Sequence, residues 1–360
     1  MLSIVRSWVD RYFSDEQAVL LSVLLFIGFA VVLIWGDILA PVIGALIIAF
    51  ILQAPVTALN KRNVPHILSV TIVFGAFLSL ISALIFAFLP RAYTQLESLL
   101  NDFPAILDAL KSYAEDLQAK FPAFFKGDEV VIAYQQLSEG SAELVQWVLS
   151  NSLASLPFIV SVLIYLIVVP ILVFFLLKDK DVILRSISSA LPKNHSLISR
   201  VSKEMNMQFA NYLRGKALEI VVVGGFTYIG FKVFGLNYAA LLSLLVGLSV
   251  VIPYIGAVVV TIPVVLIALF QFGPENQFYY VVGVYFIIQM LDGNVLVPLL
   301  FSEVVNLHPI LIIVAVLFFG GVWGFWGVFF AIPLATLIKA VVTAWPTADQ
   351  AEKIVTKPLI

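Results

Sequence analysis

The sequence predicts an all-α integral membrane protein: a polytopic helical bundle with two Gly/Pro-interrupted segments, re-entrant or broken, and an extracytoplasmic helical insertion. Three observations carry this reading. Of 360 residues, 62% are hydrophobic and only 12% charged, with a mean hydropathy of +1.07, whereas soluble chains sit near half apolar and a quarter charged. Apolar runs near or above the ~20 residues needed to cross a bilayer recur along the whole chain. Lys and Arg are distributed unevenly among the loops between those runs, as the positive-inside rule requires of a spanning chain.

The first run, about 18–35, follows Arg6 and Arg11 with no small-residue cleavage site behind it, so it reads as a retained helix rather than a removable signal. Runs at about 38–58 and 67–90 complete three spans within 1–90, with Asp37 beside Gly36 as a solvated turn residue between the first two. Residues 91–152 read as an extracytoplasmic insertion. Leu96, Leu99, Leu100, Phe103, Ile106, Leu107, Leu110, Tyr113 and Leu117 recur every three or four residues there, an amphipathic stripe in need of a partner. Pro104 and Pro122 are expected to bend or divide it, and 129–150 can pair with it as a hairpin. Its acidic balance favours a cap or an oligomer contact over a membrane-surface helix.

A fourth span is expected at 153–177, then a basic segment at 178–216, a C-terminal membrane region at 217–342 and a tail at 343–360. Segment 178–216 carries eight basic and three acidic residues, and 91–150 carries four and nine. The loop with Lys61 and Arg62, segment 178–216 and both termini are therefore expected in the cytoplasm, and 91–150 across the membrane.

Within 217–342, runs at about 217–234 and 278–300 have ordinary lengths, but 238–272 and 309–342 do not. As single helices each would be about 50 Å long, against a ~30 Å hydrocarbon core. The first breaks at Ile252-Pro253-Tyr254-Ile255-Gly256 and the second at Gly320-Gly321-Val322-Trp323-Gly324-Phe325-Trp326-Gly327. Pro263 follows the first break and Pro333 the second, a weak internal repeat. Glycines that pack helices and prolines that kink them are the plain explanation. Paired re-entrant hairpins or broken helices are the sharper one, because irregular backbone at membrane depth survives only where protein or water satisfies it. Such interruptions at corresponding places mark transporter binding sites.

Enzyme signatures are absent: there is no phosphate-binding loop, dinucleotide fingerprint, zinc-protease helix or nucleophile elbow. The chain is read as a non-enzyme without cofactor or metal, and no nucleic-acid partner is expected. Cysteine is absent and the histidines, His66, His195 and His308, are scattered. Between 217 and 338 the charges are Glu219, Lys232, Glu275, Asp292 and Glu303. Intramembrane charge is costly and usually functional. Asp292, in Gln289-Met290-Leu291-Asp292-Gly293-Asn294 and six residues before Pro298, is the leading candidate. It can hold a proton or cation, accept from solute hydroxyls, or simply satisfy free backbone N–H groups. Glu219 can serve transport or pair locally with Lys216 or Arg214. Lys232 ends a helix and can snorkel. Trp323, Phe325, Trp326, Phe329 and Phe330 fit an interfacial belt or a passage lining equally well.

Several runs resemble the AI-2E transporter family: Asn211-Tyr212-Leu213-Arg214-Gly215-Lys216, Ile252 to Gly256, Asp292-Gly293-Asn294 with Pro298, Leu307-His308-Pro309, and Gly327 to Pro333. The resemblance implies a bacterial inner-membrane permease, a homo-oligomer (a pentamer) and paired hairpins in a mobile unit. Its namesake activity is export of the furanone signal autoinducer-2, and other members resemble sodium(lithium)/proton antiporters. The leading expectation is a secondary transporter of a small organic solute with Asp292 and the two breaks around the site. The alternatives are a monovalent cation/proton antiporter and a membrane scaffold.

Overall fold

The computed structural model describes residues 16–120, 156–189, 196–301 and 307–344, and all regular structure among them is helical. Six described helices are long and apolar enough to cross a membrane, or seven if one bent pair counts as a span. The expected pairing partner at 129–150, Pro122 and most of the tail lie outside the described residues. The chain divides into two compact units, one of residues 1–73, 168–215 and 300–360, the other of 74–167 and 216–299.

In the first unit, α1 (Glu16–Asn60) is two expected spans in series, with non-helical backbone at Trp35 where the turn is predicted. His66 opens α2 (His66–Ala83), and its ring hydrogen-bonds Asn60 and the Lys178 carbonyl, a structural duty. The expected fourth span is α4 (Leu156–Lys178), which bends by 77° into α5 (Lys180–Ser189). The basic segment does not end there as a separate body. Its second half is the start of α6 (Ser196–Val233), where Ile198 and Val201 pack with Leu21 of α1. The run at 217–234 is thus the distal part of one 38-residue helix, and Lys216, Glu219 and Lys232 make it less apolar than the other spans.

In the second unit, a π-helical turn at Leu84–Phe88 joins α2 to α3 (Leu89–Lys120). Pro90 explains it: the ring clashes with a carbonyl one turn back and offers no N–H, so the helix widens. The same device recurs at Asp292–Leu296, between α9 (Asn276–Leu291) and α10 (Val297–Phe301), immediately ahead of Pro298. The expected division at Pro104 does not occur; α3 runs through it unbroken. A single proline removes one helical hydrogen bond, and the packed face of α3 holds the helix on either side.

That face does find a partner. Leu96 and Leu99 pack on a core built from α6, α7 (Ala239–Ser249), α8 (Ile255–Phe272) and α9, around Leu242, Val246, Val264 and Tyr285. Gln95 accepts from the Leu241 N–H, and Tyr238 donates its hydroxyl to Asp102. Helix α3 therefore caps the open end of α7 and α8. Burial, followed by the hydrogen bond and charge of Asp102, pushes the Tyr238 phenol up to about 12.

Both interrupted segments are helical hairpins. In the first, α7 and α8 pack against each other across a turn at 250–254. The Ile255 N–H bonds the Pro253 carbonyl at 2.7 Å around Tyr254, which has φ 63° and ψ −51°. This is a γ-turn of the rare positive-φ kind, costing on the order of 1–3 kcal/mol for a residue with a Cβ. A Cβ on Gly256 would fall 1.8 Å from the Ser249 carbonyl oxygen. In the other unit, α11 (Pro309–Phe329) reverses at Gly324, with φ 59° and ψ −137°, and its distal end packs with α12 (Ala331–Ala344) on the first arm. A Cβ on Gly327 would lie 1.8 Å from the Phe319 carbonyl oxygen. The two copies share a glycine-on-carbonyl contact, which is the physical content of the sequence repeat. With 11 residues, α7 reaches only ~16 Å, about half a bilayer core.

Gly256→Ala and Gly327→Ala should each destabilise the protein by about 3 kcal/mol or more, since a backbone atom cannot move aside. Gly321→Ala, with open space at its Cβ, should change stability by less than about 0.5 kcal/mol; thermal unfolding in detergent separates the two cases. The raised Tyr238 pKa also has a sign. The neutral phenol is favoured by folding, so its contribution is full below about pH 10 and is lost as pH rises towards 12. Phenolate absorbance should show a late-titrating component, and Asp102→Asn should shift part of it to lower pH, leaving the part that burial causes.

Candidate functional site

The strongest concentration of buried polarity lies in the second unit, where the first hairpin turns. Lys216 and Glu219 occupy one face of α6, one turn apart, with Nζ 2.8 Å from Oε2 and side chains only 7% and 2% exposed. The Lys216 ammonium also donates to the Val250 carbonyl at 2.7 Å, at the end of α7. The helix has just ended there, so that carbonyl has no continuing turn to bond. Lysine thereby ties the hairpin tip to α6 with one proton and offers another to Glu219.

Asp292 heads the π turn of α9 and is close enough to act electrostatically on both Glu219 and Lys216. Its Oδ1 is buried without a hydrogen-bond partner, and the Gln289 side chain lies one turn earlier, within reach of Tyr285. Further along the same face, the Tyr285 hydroxyl bonds Thr261 of α8 at 2.7 Å. Thr227, two turns beyond Glu219 on α6, is fully buried with an unpaired hydroxyl. Buried polar groups are rarely left unpaired. Two carboxylates and one ammonium, with an orphan carboxylate oxygen, can take up a cation or proton, or exchange hydrogen bonds with a hydroxylated solute.

Other candidates fall elsewhere. Asn294 is exposed and spends its amide on the Met290 carbonyl one turn back. It belongs to the helix break rather than to the buried cluster. Pro253 lies in the first turn, while Pro263 and Pro298 sit inside helices α8 and α10. Pro333 is buried in the first turn of α12, where its missing N–H costs nothing.

Gly320, Gly321, Gly324 and Gly327 belong to the second hairpin, in the first unit. There Tyr212 of α6 donates to the Phe329 carbonyl at 3.0 Å, satisfying backbone freed at that break. Phe330 is buried between Trp323 and Trp326, with centroids 5.8 and 6.0 Å away, and stacks on Phe209. The aromatic group is largely packing. His308 caps α11, accepting from the Ile310 N–H.

Sequence reasoning named Lys216 only as a local partner for Glu219 and left Tyr212 without a role. The signal was present at Tyr212 and Lys216, two long polar side chains one turn apart just where the helix passes from its polar first half to its apolar second.

Helices of spanning length, a broken hairpin and a charged cluster buried among apolar spans define a polytopic membrane transporter. Residues 20–347 match the family described as AI-2E family transporter, and the chain belongs to that family. It is 46% identical over 353 residues to the Escherichia coli K12 protein named "Putative permease PerM", covering 98% of this chain and all of that one. It is 27% identical to the Bacillus subtilis "Putative transport protein YueF", with 83% of this chain and 82% of that one aligned. A second Bacillus subtilis relative, "Putative transport protein YrrI", is 24% identical over 89% and 92% of the two chains.

Removing Lys216 leaves a buried carboxylate and a tip carbonyl unsatisfied. Lys216→Met should cost about 3–5 kcal/mol, read as a fall in Tm in detergent. Adding Glu219→Leu to it should recover a large part of that loss, because the unpaired charge goes with it.

Proposed function

We propose that this chain is an inner-membrane secondary permease for a small organic solute, with the cluster of Lys216, Glu219, Gln289 and Asp292 as its polar site. The single observation behind this reading is the Lys216 ammonium shared between Glu219 and the hairpin-tip carbonyl of Val250. A ligand that competes for that ammonium changes both the charge of the cluster and the hold on the tip. The hairpins enter the membrane part-way, and the strained turn at Tyr254 lets the tip move. Autoinducer-2, a small hydroxylated furanone, fits the hydrogen-bonding character of such a site and is the family's namesake cargo. The chain functions as a homo-oligomer in this reading, with both termini cytoplasmic and 91–152 outside.

A second reading, sodium(lithium)/proton antiport, draws on two carboxylates around one ammonium, which leave room for one further positive charge. Flux in proteoliposomes, wild type beside Asp292→Asn, with and without an imposed proton gradient, separates the two. Organic-solute flux that falls about tenfold or more in the variant, as for loss of a charged hydrogen bond, supports the permease. Cation-dependent proton movement lost in the variant supports the antiporter. Correctly assembled protein with no flux of either kind would overturn both in favour of a scaffold built on 91–152 and 178–216.

A further inference from the structure

A second polar feature of the same unit has no part in that cluster. Arg91 at the start of α3 and Lys232 at the end of α6 line one cavity of about 570 Å³, with Tyr228, Asn237 and the first residues of α7, Ala239 and Ala240. The lining contains no acidic residue. Among the described residues neither cation has a carboxylate at ion-pair distance. Arg91 spends one Nη1 donor on the Ala87 carbonyl, and the rest of its guanidinium fork remains.

The start of α7 adds to this positive field. Tyr238, in the left-handed region at φ 57°, supplies no side-chain cap because its hydroxyl goes to Asp102. Gln95 takes the Leu241 N–H. Ala239 and Ala240, the first residues of α7, line the cavity, so the positive end of the helix dipole lies beside it. An arginine fork, an ammonium and the start of a helix around one space match an anion with several oxygens, of which a phosphate is the fitting class.

The surroundings indicate where that phosphate comes from. Phe86, one turn before Arg91, is 79% exposed, and Val233, beside Lys232, is 73% exposed. Leu89 and Ile229 are exposed on the same two helices. Each cation therefore stands where an exposed apolar helix surface ends, and Phe88 against Tyr228, with centroids 5.9 Å apart, holds the two helices together at that level. Basic side chains at the edge of an apolar belt sit at headgroup depth. We propose that this cavity is a phospholipid headgroup site, in which Arg91 and Lys232 hold the phosphate while the acyl chains lie along α2 and α6. A net anionic lipid is preferred, since a choline group would meet the same two cations. The assignment does not depend on which solute the protein carries.

Native mass spectrometry of the full chain released from detergent tests this, with phosphatidylglycerol, phosphatidylcholine and inorganic phosphate as the three probes. Phosphatidylglycerol adducts should persist about tenfold more than phosphatidylcholine adducts. Arg91→Gln with Lys232→Gln should abolish that preference, and Arg91→Lys with Lys232→Arg should keep it, separating loss of charge from loss of fold. Equal retention of the two lipids, or a preference unchanged in the glutamine variant, would overturn the site. Inorganic phosphate that displaces phosphatidylglycerol at equal concentration would overturn the lipid assignment in favour of a soluble anion.

Discussion

Backbone freed inside an apolar protein must be satisfied by the protein itself, and the interior of this chain is organised around that requirement. Water is not at hand in a bilayer core, and each orphan carbonyl or amide costs kilocalories. Four breaks in the helices show four local answers. Lys216 reaches the Val250 carbonyl and Tyr212 the Phe329 carbonyl at the two hairpin turns. At the two π turns, side chains one turn on, Arg91 and Asn294, add bonds to the Ala87 and Met290 carbonyls. Polar residues that look misplaced in an apolar sequence are, at these positions, the partners of interrupted backbone.

This gives the buried charges a double character. Lys216 is needed for stability, because it occupies a carbonyl and balances Glu219, and it is the group a ligand would have to address to loosen the hairpin. A buried ion pair contributes little net stability compared with apolar packing of the same volume. Its place at a strained turn, beside a carboxylate oxygen with no partner, agrees with a role in changing state. The glycine contacts work the other way. Gly256 and Gly327 let each hairpin close so tightly that its two arms move as one piece.

Helix α3 illustrates how a soluble-looking stretch becomes part of a membrane unit. Its polar residues go where the hairpin has open ends: Gln95 to an α7 amide, Asp102 to Tyr238, with Leu96 and Leu99 packed on the core between. The same arrangement leaves the start of α7 partly uncapped beside Arg91 and Lys232, and a site for an anion follows from it.

Most of the spans, the two interruptions and the place of Asp292 within an apolar run were legible in the sequence, because each is written in hydropathy over 18 or more residues or in Gly and Pro at particular positions. The run at 217–234 is the exception, since its helix is not among those apolar enough to cross. Glycine at 256 and 327 and proline at 90 and 298 act through their own backbone chemistry, so their effects need no knowledge of neighbours. Which polar residue answers which break was not legible. Lys216 and Val250 are 34 residues apart, and Tyr212 and Phe329 are 117 apart. Periodicity likewise predicted that α3 needs a partner but not that α7 and α8 supply it, and of the bend or division expected at Pro104 the division does not occur. Local chemistry fixes where the chain is interrupted; only the tertiary structure decides which side chain repairs each interruption, since that depends on distances between helices remote in sequence.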